Sequence, residues 1–372
     1  MENNRVKFFI WMIILSLPLS AAVFSVYPNI GREMQEDPRI MPFAYTEFDV
    51  SGDDIGYVQD AGHTVSDGDA GRQTVQTIDW GYPVPDYDFT TDEITVHIDG
   101  LEREYTIAFI NDLHLITDRV SGDVTEDNLP IVENRYNNLS VTPEGIHADE
   151  LWPEVVHYLN YNDFDAVVFG GDLLDYCSNS NIMMLQSGFE MLKYPKDRMM
   201  YLRSDHDYGG WYGGDGFKDS DGERLQTMLL DGDKSLKLME FDDFMILGIN
   251  RSYRNLDEDT YKAIHRKLQS GKPVILATHV PIYSEVDESL KETSLKVRNR
   301  IYYWSYDSGN YVPNKVTEKF IDEIYAKDSN VVQVLAAHMH AEWDGYVTET
   351  IKEHIFAPTF EGKIGIIHVT GE

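Results

Sequence analysis

The chain has 372 residues, 42% hydrophobic and 26% charged, with 27 Gly and 14 Pro, a composition that excludes a mainly disordered, collagen-like or coiled-coil protein. With 31 Lys+Arg against 64 Asp+Glu the formal net charge is −33, which repels polyphosphate backbones and excludes stable binding of long nucleic acid, though not of a small anion at a site with its own positive charge. Cys177 is the single cysteine, so neither an intrachain disulfide nor a zinc finger can form.

At the start of the chain Arg5 and Lys7 precede a run over residues 8–26 that is apolar except for Ser16, Pro18, Ser20 and Ser25. This is the layout of an export signal, and Ser20 and Ala22 offer a small-x-small cleavage site after Ala22. The run is long for a cleaved segment and near the lower limit for a spanning helix. It therefore predicts a domain outside the cytoplasm, either released or held at the membrane through residues 1–26, with the basic residues kept inside. Residues 27–92 contain fourteen Asp or Glu against Arg32, Arg39 and Arg72 and few aliphatic residues, which predicts a solvated acidic spacer.

The folded domain is predicted over 93–372. Residues 94–98 alternate, Asp99-Gly100 is a hairpin turn signal, and 104–110 reads as the second strand of that hairpin. A helix over 152–160 is followed by a buried strand at 166–169, and further strands are expected at 199–202, 244–249, 274–277 and 331–336. Helices are expected at 257–269 and 313–326. Strands alternating with helices indicate an α/β domain whose sheet faces are covered by helices.

Five of these strands run directly into carboxylates or imidazoles: Asp112 and His114; Gly171, Asp172 and Asp175; Asp205, His206 and Asp207; His279; His338 and His340. Strand C-terminal ends are where sites assemble in open α/β sheets. Imidazole and carboxylate donors without thiolates suit Zn, Mn or Fe. Seven candidate ligands, Asp112, His114, Asp172, Asp205, His279, His338 and His340, are too many for one structural ion but fit two ions sharing a bridging carboxylate, the arrangement used in phosphoryl displacement.

In this order the motifs resemble those of the calcineurin-like metallophosphoesterases: D-x-H, G-D-x-x-D, G-N-H-D/E, a solitary His and G-H-x-H. The resemblance spans roughly residues 105–345 and implies a sandwich of two mixed β-sheets flanked by α-helices. It also implies hydrolysis of a small phosphomonoester or phosphodiester by a metal-bridging hydroxide. Carried over residue by residue, one ion falls to Asp112, His114, Asp172 and His340, and the other to Asp172, Asp205, His279 and His338. His206 assists the leaving oxygen and Asp207 orients its imidazole, while Asp175 lies behind the ligands. Two positions depart from the pattern. Asp205 replaces the Asn, adding a negative charge, with Ser204 before it instead of Gly, and Ala337 replaces the Gly of G-H-x-H.

His63, His97, His147, His157, His265, His354 and His368 read as structural or surface residues, and Cys177 as a packing residue. Residues 208–214 read as a loop at the rim of the site, with Trp211 and Tyr212 facing the leaving group. Two inserts, 116–149 and 284–312, carry Arg119, Arg135, Tyr136, Arg298, Arg300 and the run Tyr302-Tyr303-Trp304, which read either as solvated surface loops or as groups expected to grip phosphate and stack on the remainder of a substrate. The competing reading is a catalytically weak or inactive, metal-stabilised binding domain of the same fold. A single-ion hydrolase leaves most of the motifs unexplained.

Overall fold

A computed structural model of the chain describes residues 87–117, 124, 126–209, 226, 227, 229, 230, 232, 234–306 and 311–371. The predicted export segment, most of the acidic spacer, Arg119, Trp211 and Tyr212 lie outside the described residues. Among the described residues no helix is long and apolar enough to cross a membrane.

The described residues fall within one compact unit, Asp79–Glu372, built in four layers. In chain order the elements are β1 (Thr90–His97), β2 (Tyr105–Ile110), α1 (Leu129–Asn138), α2 (Ala148–Tyr161), β3 (Ala166–Phe169), α3 (Asn179–Met191), β4 (Met199–Tyr201) and α4 (Asp205–Tyr208), followed by β5 (Leu236–Glu240), β6 (Met245–Ile249), α5 (Glu258–Leu268), β7 (Val274–Thr278), α6 (Ser289–Arg298), α7 (Lys315–Ile324), β8 (Val331–Ala336), β9 (Trp343–Tyr346), β10 (Lys352–Ile355) and β11 (Lys363–Thr370). One sheet has the order β1-β11-β2-β3-β4 and the other β5-β6-β7-β8-β10-β9. Both are mixed: β2, β3 and β4 run parallel, as do β6, β7, β8 and β10, while β11 opposes β2, β5 opposes β6 and β9 opposes β10.

The two-residue period of the strands divides their side chains between layers. On β2, Ile107 and Phe109 point inward and join Val168, Met200, Ile246, Ile275 and Leu335 between the sheets. Ala108 and Ile110 point outward against Trp152 and Val155 of α2 and Leu185 and Phe189 of α3. On the far side, Leu247, Leu276 and Val334 meet Ile264 of α5 and Phe320 and Ile324 of α7. Parallel strands buried on both faces explain the nearly continuous apolar runs read in the sequence. The predicted helices start where their caps are: the Asp257 carboxylate accepts from Thr260 N, and the Asn314 side chain accepts from Val316 N and Thr317 N.

Two expectations are corrected. β1 and β2 do not form a hairpin, because β11 lies between them, parallel to β1 and antiparallel to β2. Gly100 makes the turn, with φ 77°, but β11 is an apolar strand that satisfies the edges of both neighbours. Residues 87–92, read as the end of the spacer, belong to the fold. Phe89 is buried, and Asp92 accepts from His354 Nε2 at 2.9 Å and from Ala357 N at 3.2 Å, pinning β1 to the second sheet.

Candidate metal centre

The loops leaving β2 and β3 are zipped together beyond their strands. Asp112 N donates to Gly171 O at 2.9 Å, His114 N to Asp172 O at 3.0 Å and Leu115 N to Leu173 O at 2.8 Å. Thr359 N and Phe360 N brace them from a third loop by donating to Asn111 O and Asp112 O. Asp112, His114 and Asp172 in these loops, and His338 and His340 in the loop after β8, lie at φ between 46° and 72°. The left-handed region is costly for residues with a Cβ, and such residues gather where surrounding contacts over-determine the backbone, commonly at functional sites. Gly171 lies at φ 102°, and a Cβ there would come within 2.6 Å of His279 Nδ1. The glycine of the second motif therefore makes room for the imidazole of the fourth.

Three groups of ligand atoms, each within 4.8 Å of one another, result: Asp112, His114 and His340; His114, Asp172 and His206; and Asp172, His279 and His338. His114 Nε2 lies 3.0 Å from His340 Nε2, and His279 Nε2 lies 3.0 Å from His338 Nδ1. His340 Nε2 is 3.4 Å from Asp112 Oδ1, and His279 Nε2 is 3.3 Å from Asp172 Oδ2. Asp112 Oδ2 accepts from Asn111 Nδ2 and from His338 N, whereas Asp112 Oδ1 and Asp172 Oδ1 are buried with no hydrogen-bond donor. An unsatisfied buried carboxylate oxygen is expensive in a protein interior.

The imidazoles are oriented from behind. His114 Nδ1 donates to Asp175 Oδ1 at 2.9 Å and His279 Nδ1 to Gly170 O at 2.8 Å. Oxygens that only accept fix protons at Nδ1 and turn the Nε2 atoms into the centre. Imidazole nitrogens crowded against one another beside open carboxylate oxygens are what a cation relieves, so the donor set fits metal ions.

Electrostatics agree with this. Burial works against the charged forms of Asp112 and Asp172, yet the His340 charge beside Asp112 and the His279 charge beside Asp172 hold both carboxyls below their usual range. Burial opposes the His279 imidazolium, but Asp172 and Asp112 push it up to about 10. Burial pulls His340 down to about 4 and His338 well below its usual value. Asp172 and Asp112 thus favour positive charge on this side of the cluster.

The remaining candidates have separate placements. Asp205 is in none of the three groups, and its Oδ1 accepts from Ser204 Oγ at 2.9 Å. His206 Nδ1 donates to the Asp175 carbonyl at 2.6 Å. Asp207 was expected to orient His206, but its carboxylate faces the other way. Oδ2 accepts from Asp172 N and Ser204 N, and Oδ1 from Leu174 N and the Tyr201 hydroxyl. Asp207 therefore shapes the loop carrying Asp172, and Asp175 O fixes the His206 ring. Burial and the facing Asp172 charge push the Asp207 carboxyl up to about 6.

The inserts also contribute differently from expectation. Arg135 of α1, expected to grip phosphate, pairs with the buried Asp175 that backs His114. Arg298 at the end of α6 donates to the carbonyls of Met339 and His338. Tyr302, expected to stack on substrate, stacks on His338. Tyr311, which sequence reasoning did not select, places its hydroxyl 2.7 Å from His338 Nε2. Cys177 is fully buried, as a packing residue should be.

Two mixed sheets packed face to face, helices on both outer faces and imidazole–carboxylate groups at the parallel strand ends define an α/β sandwich with a candidate two-ion centre. The calcineurin-like phosphoesterase family model matches residues 105–342, most of the chain, and the protein belongs to that family. No curated protein matches the chain. Among solved structures, it is similar to a dimetal phosphatase from Danio rerio at 10% identity, TM-score 0.41, covering 69% of this chain and 88% of that one. It is also similar to a purple acid phosphatase from yellow lupin (Lupinus luteus) seeds at 14% identity, TM-score 0.41, covering 73% of this chain and 45% of that one. A phosphopantetheinyl hydrolase from Mycobacterium tuberculosis matches at 10% identity, TM-score 0.35, covering 69% and 90% respectively.

Proposed function

We propose that the protein is an exported hydrolase of small phosphate esters that works with two metal ions of the Mn, Fe or Zn kind. One observation carries this reading: Asp112 and Asp172 each keep a buried carboxylate oxygen without a donor, in a cluster where two pairs of imidazole nitrogens lie 3.0 Å apart. Asp112, His114, Asp172 and His340 would hold one ion, and Asp172, Asp205, His279 and His338 the other, with Asp172 shared. Such ions supply positive charge to the phosphoryl oxygens and acidify a coordinated water.

The chain's own groups do the rest. Asp175 and Gly170 O keep the His114 and His279 protons at Nδ1. Burial opposes the His206 imidazolium, but the Asp172, Asp175 and Asp205 charges raise its pKa. With Nδ1 bonded to Asp175 O, His206 can present a proton on Nε2 to the leaving oxygen, the role of a general acid. Asp207 acts by holding the backbone of Asp172 and Leu174. Export rests on the basic-then-apolar run of residues 1–26, which releases the domain or ties it to the membrane.

The test is elemental analysis of protein purified without chelator, with turnover of an aryl phosphate and its diester measured on the same sample in added Mn²⁺. About two ions per chain with turnover supports the reading. Two ions with no turnover of either ester favours a metal-stabilised binding domain, the second reading, whose support is the added carboxylate of Asp205. No uptake of Mn²⁺ or Zn²⁺ refutes both.

A further inference from the structure

His338 is gripped on three sides by the insert that precedes its strand. Tyr311 and His338 are both buried, and the tyrosine hydroxyl lies 2.7 Å from Nε2. The Tyr302 ring lies on the imidazole with centroids 4.1 Å apart and planes within 3°. Arg298 Nε donates to Met339 O at 3.1 Å and Nη2 to His338 O at 3.2 Å, so the backbone is held as well as the ring. Tyr302 is itself placed by its N–H, which donates to Ser294 Oγ on α6 at 2.9 Å. The guanidinium groups of Arg298 and Arg300 lie 5.1 and 4.8 Å from the Tyr302 centroid.

We propose that Arg298, Tyr302 and Tyr311 form a positioning clamp that selects which nitrogen of His338 faces the Asp172–His279 pair. The inference rests on the two-ion reading above. A neutral imidazole has one N–H and one lone pair. When the Tyr311 oxygen accepts from Nε2–H, the lone pair is on Nδ1, the atom 3.0 Å from His279 Nε2. Stacking on Tyr302 fixes the plane of the ring, a flip within that plane would break the Tyr311 contact to Nε2, and Arg298 holds the carbonyls of His338, at φ 72°, and Met339. Tyr311 and Tyr302 thus act through His338 and need not touch substrate. Groups that orient a ligand from behind typically alter metal affinity about 10–100-fold.

The experiment is titration of the chelator-stripped full chain with Co²⁺, followed by calorimetry and by visible d–d absorption, which reports ligand geometry. Unsubstituted protein is expected to bind two ions. Tyr311→Phe should keep that stoichiometry while one ion binds at least ~10-fold more weakly and its d–d bands shift. Tyr302→Phe, which keeps the stacked ring, should behave as the unsubstituted chain, and Tyr302→Ala should lose affinity for the same ion. Thermal midpoints identify variants that fail to fold, and Tyr302→Ala serves as the test if Tyr311→Phe does. Unchanged affinities and bands in the folded Tyr311→Phe or Tyr302→Ala variant overturn the clamp while leaving the two-ion reading intact. No Co²⁺ uptake by the unsubstituted chain overturns that reading and the clamp with it.

Discussion

Arg135 and Asp175 meet through two nitrogens and two oxygens: Nε donates to Oδ2 at 2.6 Å, and Nη2 lies against Oδ1. The same carboxylate accepts from His114 Nδ1. Burial works against an ionised Asp175, yet the bonds from Arg135 and His114 hold its carboxyl well below the usual range. Removing the guanidinium leaves a buried carboxylate facing one imidazole. Arg135→Ala is expected to destabilise the fold by about 3 kcal/mol, as denaturant unfolding would reveal. The pair stabilises above the unfolded carboxyl pKa, and this contribution disappears as pH falls through the depressed folded value. The variant's stability should accordingly depend less on pH on the acid side. A variant as stable as the parent at neutral pH would show that solvent replaces the arginine.

Asp172→Asn removes the charge shared by both predicted ions but keeps the side-chain shape. Turnover should disappear, bound metal should fall below two ions per chain, and the far-UV circular dichroism should persist. Asp112→Ala should do the same. Wild-type turnover in either would refute the ligand assignment.

Gly171→Ala places a methyl group 2.6 Å from His279 Nδ1 at a backbone angle of φ 102°. Strain and displacement act together here, and the expected cost is about 1–3 kcal/mol, mostly from the backbone. His279 must also move away from Asp172. Metal affinity should therefore drop more than stability does, which parallel thermal and metal titrations can separate. A variant that loses only stability would argue against His279 as a ligand.

In the ion-free centre His279 is pushed up to about 10, burial notwithstanding, by Asp172 and Asp112. At pH 7.5 it carries a proton that an incoming ion must displace. Binding should release close to one proton for this residue, and affinity should rise with pH until about 10. Calorimetric titration with Mn²⁺ in two buffers of different ionisation enthalpy measures the release. An enthalpy independent of the buffer would exclude the displacement.

Glu353 is buried on β10, its Oε1 accepting from Ile282 N at 2.9 Å and its Oε2 having no donor. Burial pushes its carboxyl up to about 8, partly offset by that bond. Between an unfolded value near ~4.3 and about 8 the folded state binds a proton that the unfolded state does not, so stability falls as pH rises, by at most about 1.4 kcal/mol per unit. Glu353→Gln retains the acceptor without the charge. Its stability should change less across pH 5–8 than that of the parent, as thermal unfolding in matched buffers will establish.

Much of the site was legible because its residues follow strands, and strands buried on both faces leave an unmistakable apolar run before each motif. Asp112, His114, Asp172, His279, His338 and His340 could be selected from the sequence on that basis. Their support could not. Arg135 reaches across forty residues to Asp175, and Tyr311 across 27 to His338, and nothing in the local pattern of either announces its partner. The role of Asp207 was misread for a related reason. The family resemblance implied that Asp207 orients His206, but a one-turn helix sends the two side chains in different directions. Asp99-Gly100 misled similarly, since a turn signal carries no information about which strand fills the adjacent edge.

That edge is filled by β11, which pairs residue for residue with β1 from Thr90↔Lys363 to His97↔Thr370. Its place between β1 and β2 makes the first sheet a structure assembled out of order, since its second strand in space is the last of the described strands in chain order. A chain emerging from a ribosome can join β2, β3 and β4 early, but β1 has no neighbour until about 270 more residues have been synthesised. Loop closure over such a span delays the pairing. A nascent chain still lacking β11 therefore leaves β1 unpaired and one edge of β2 open, and completes this sheet only after synthesis of residues 363–370.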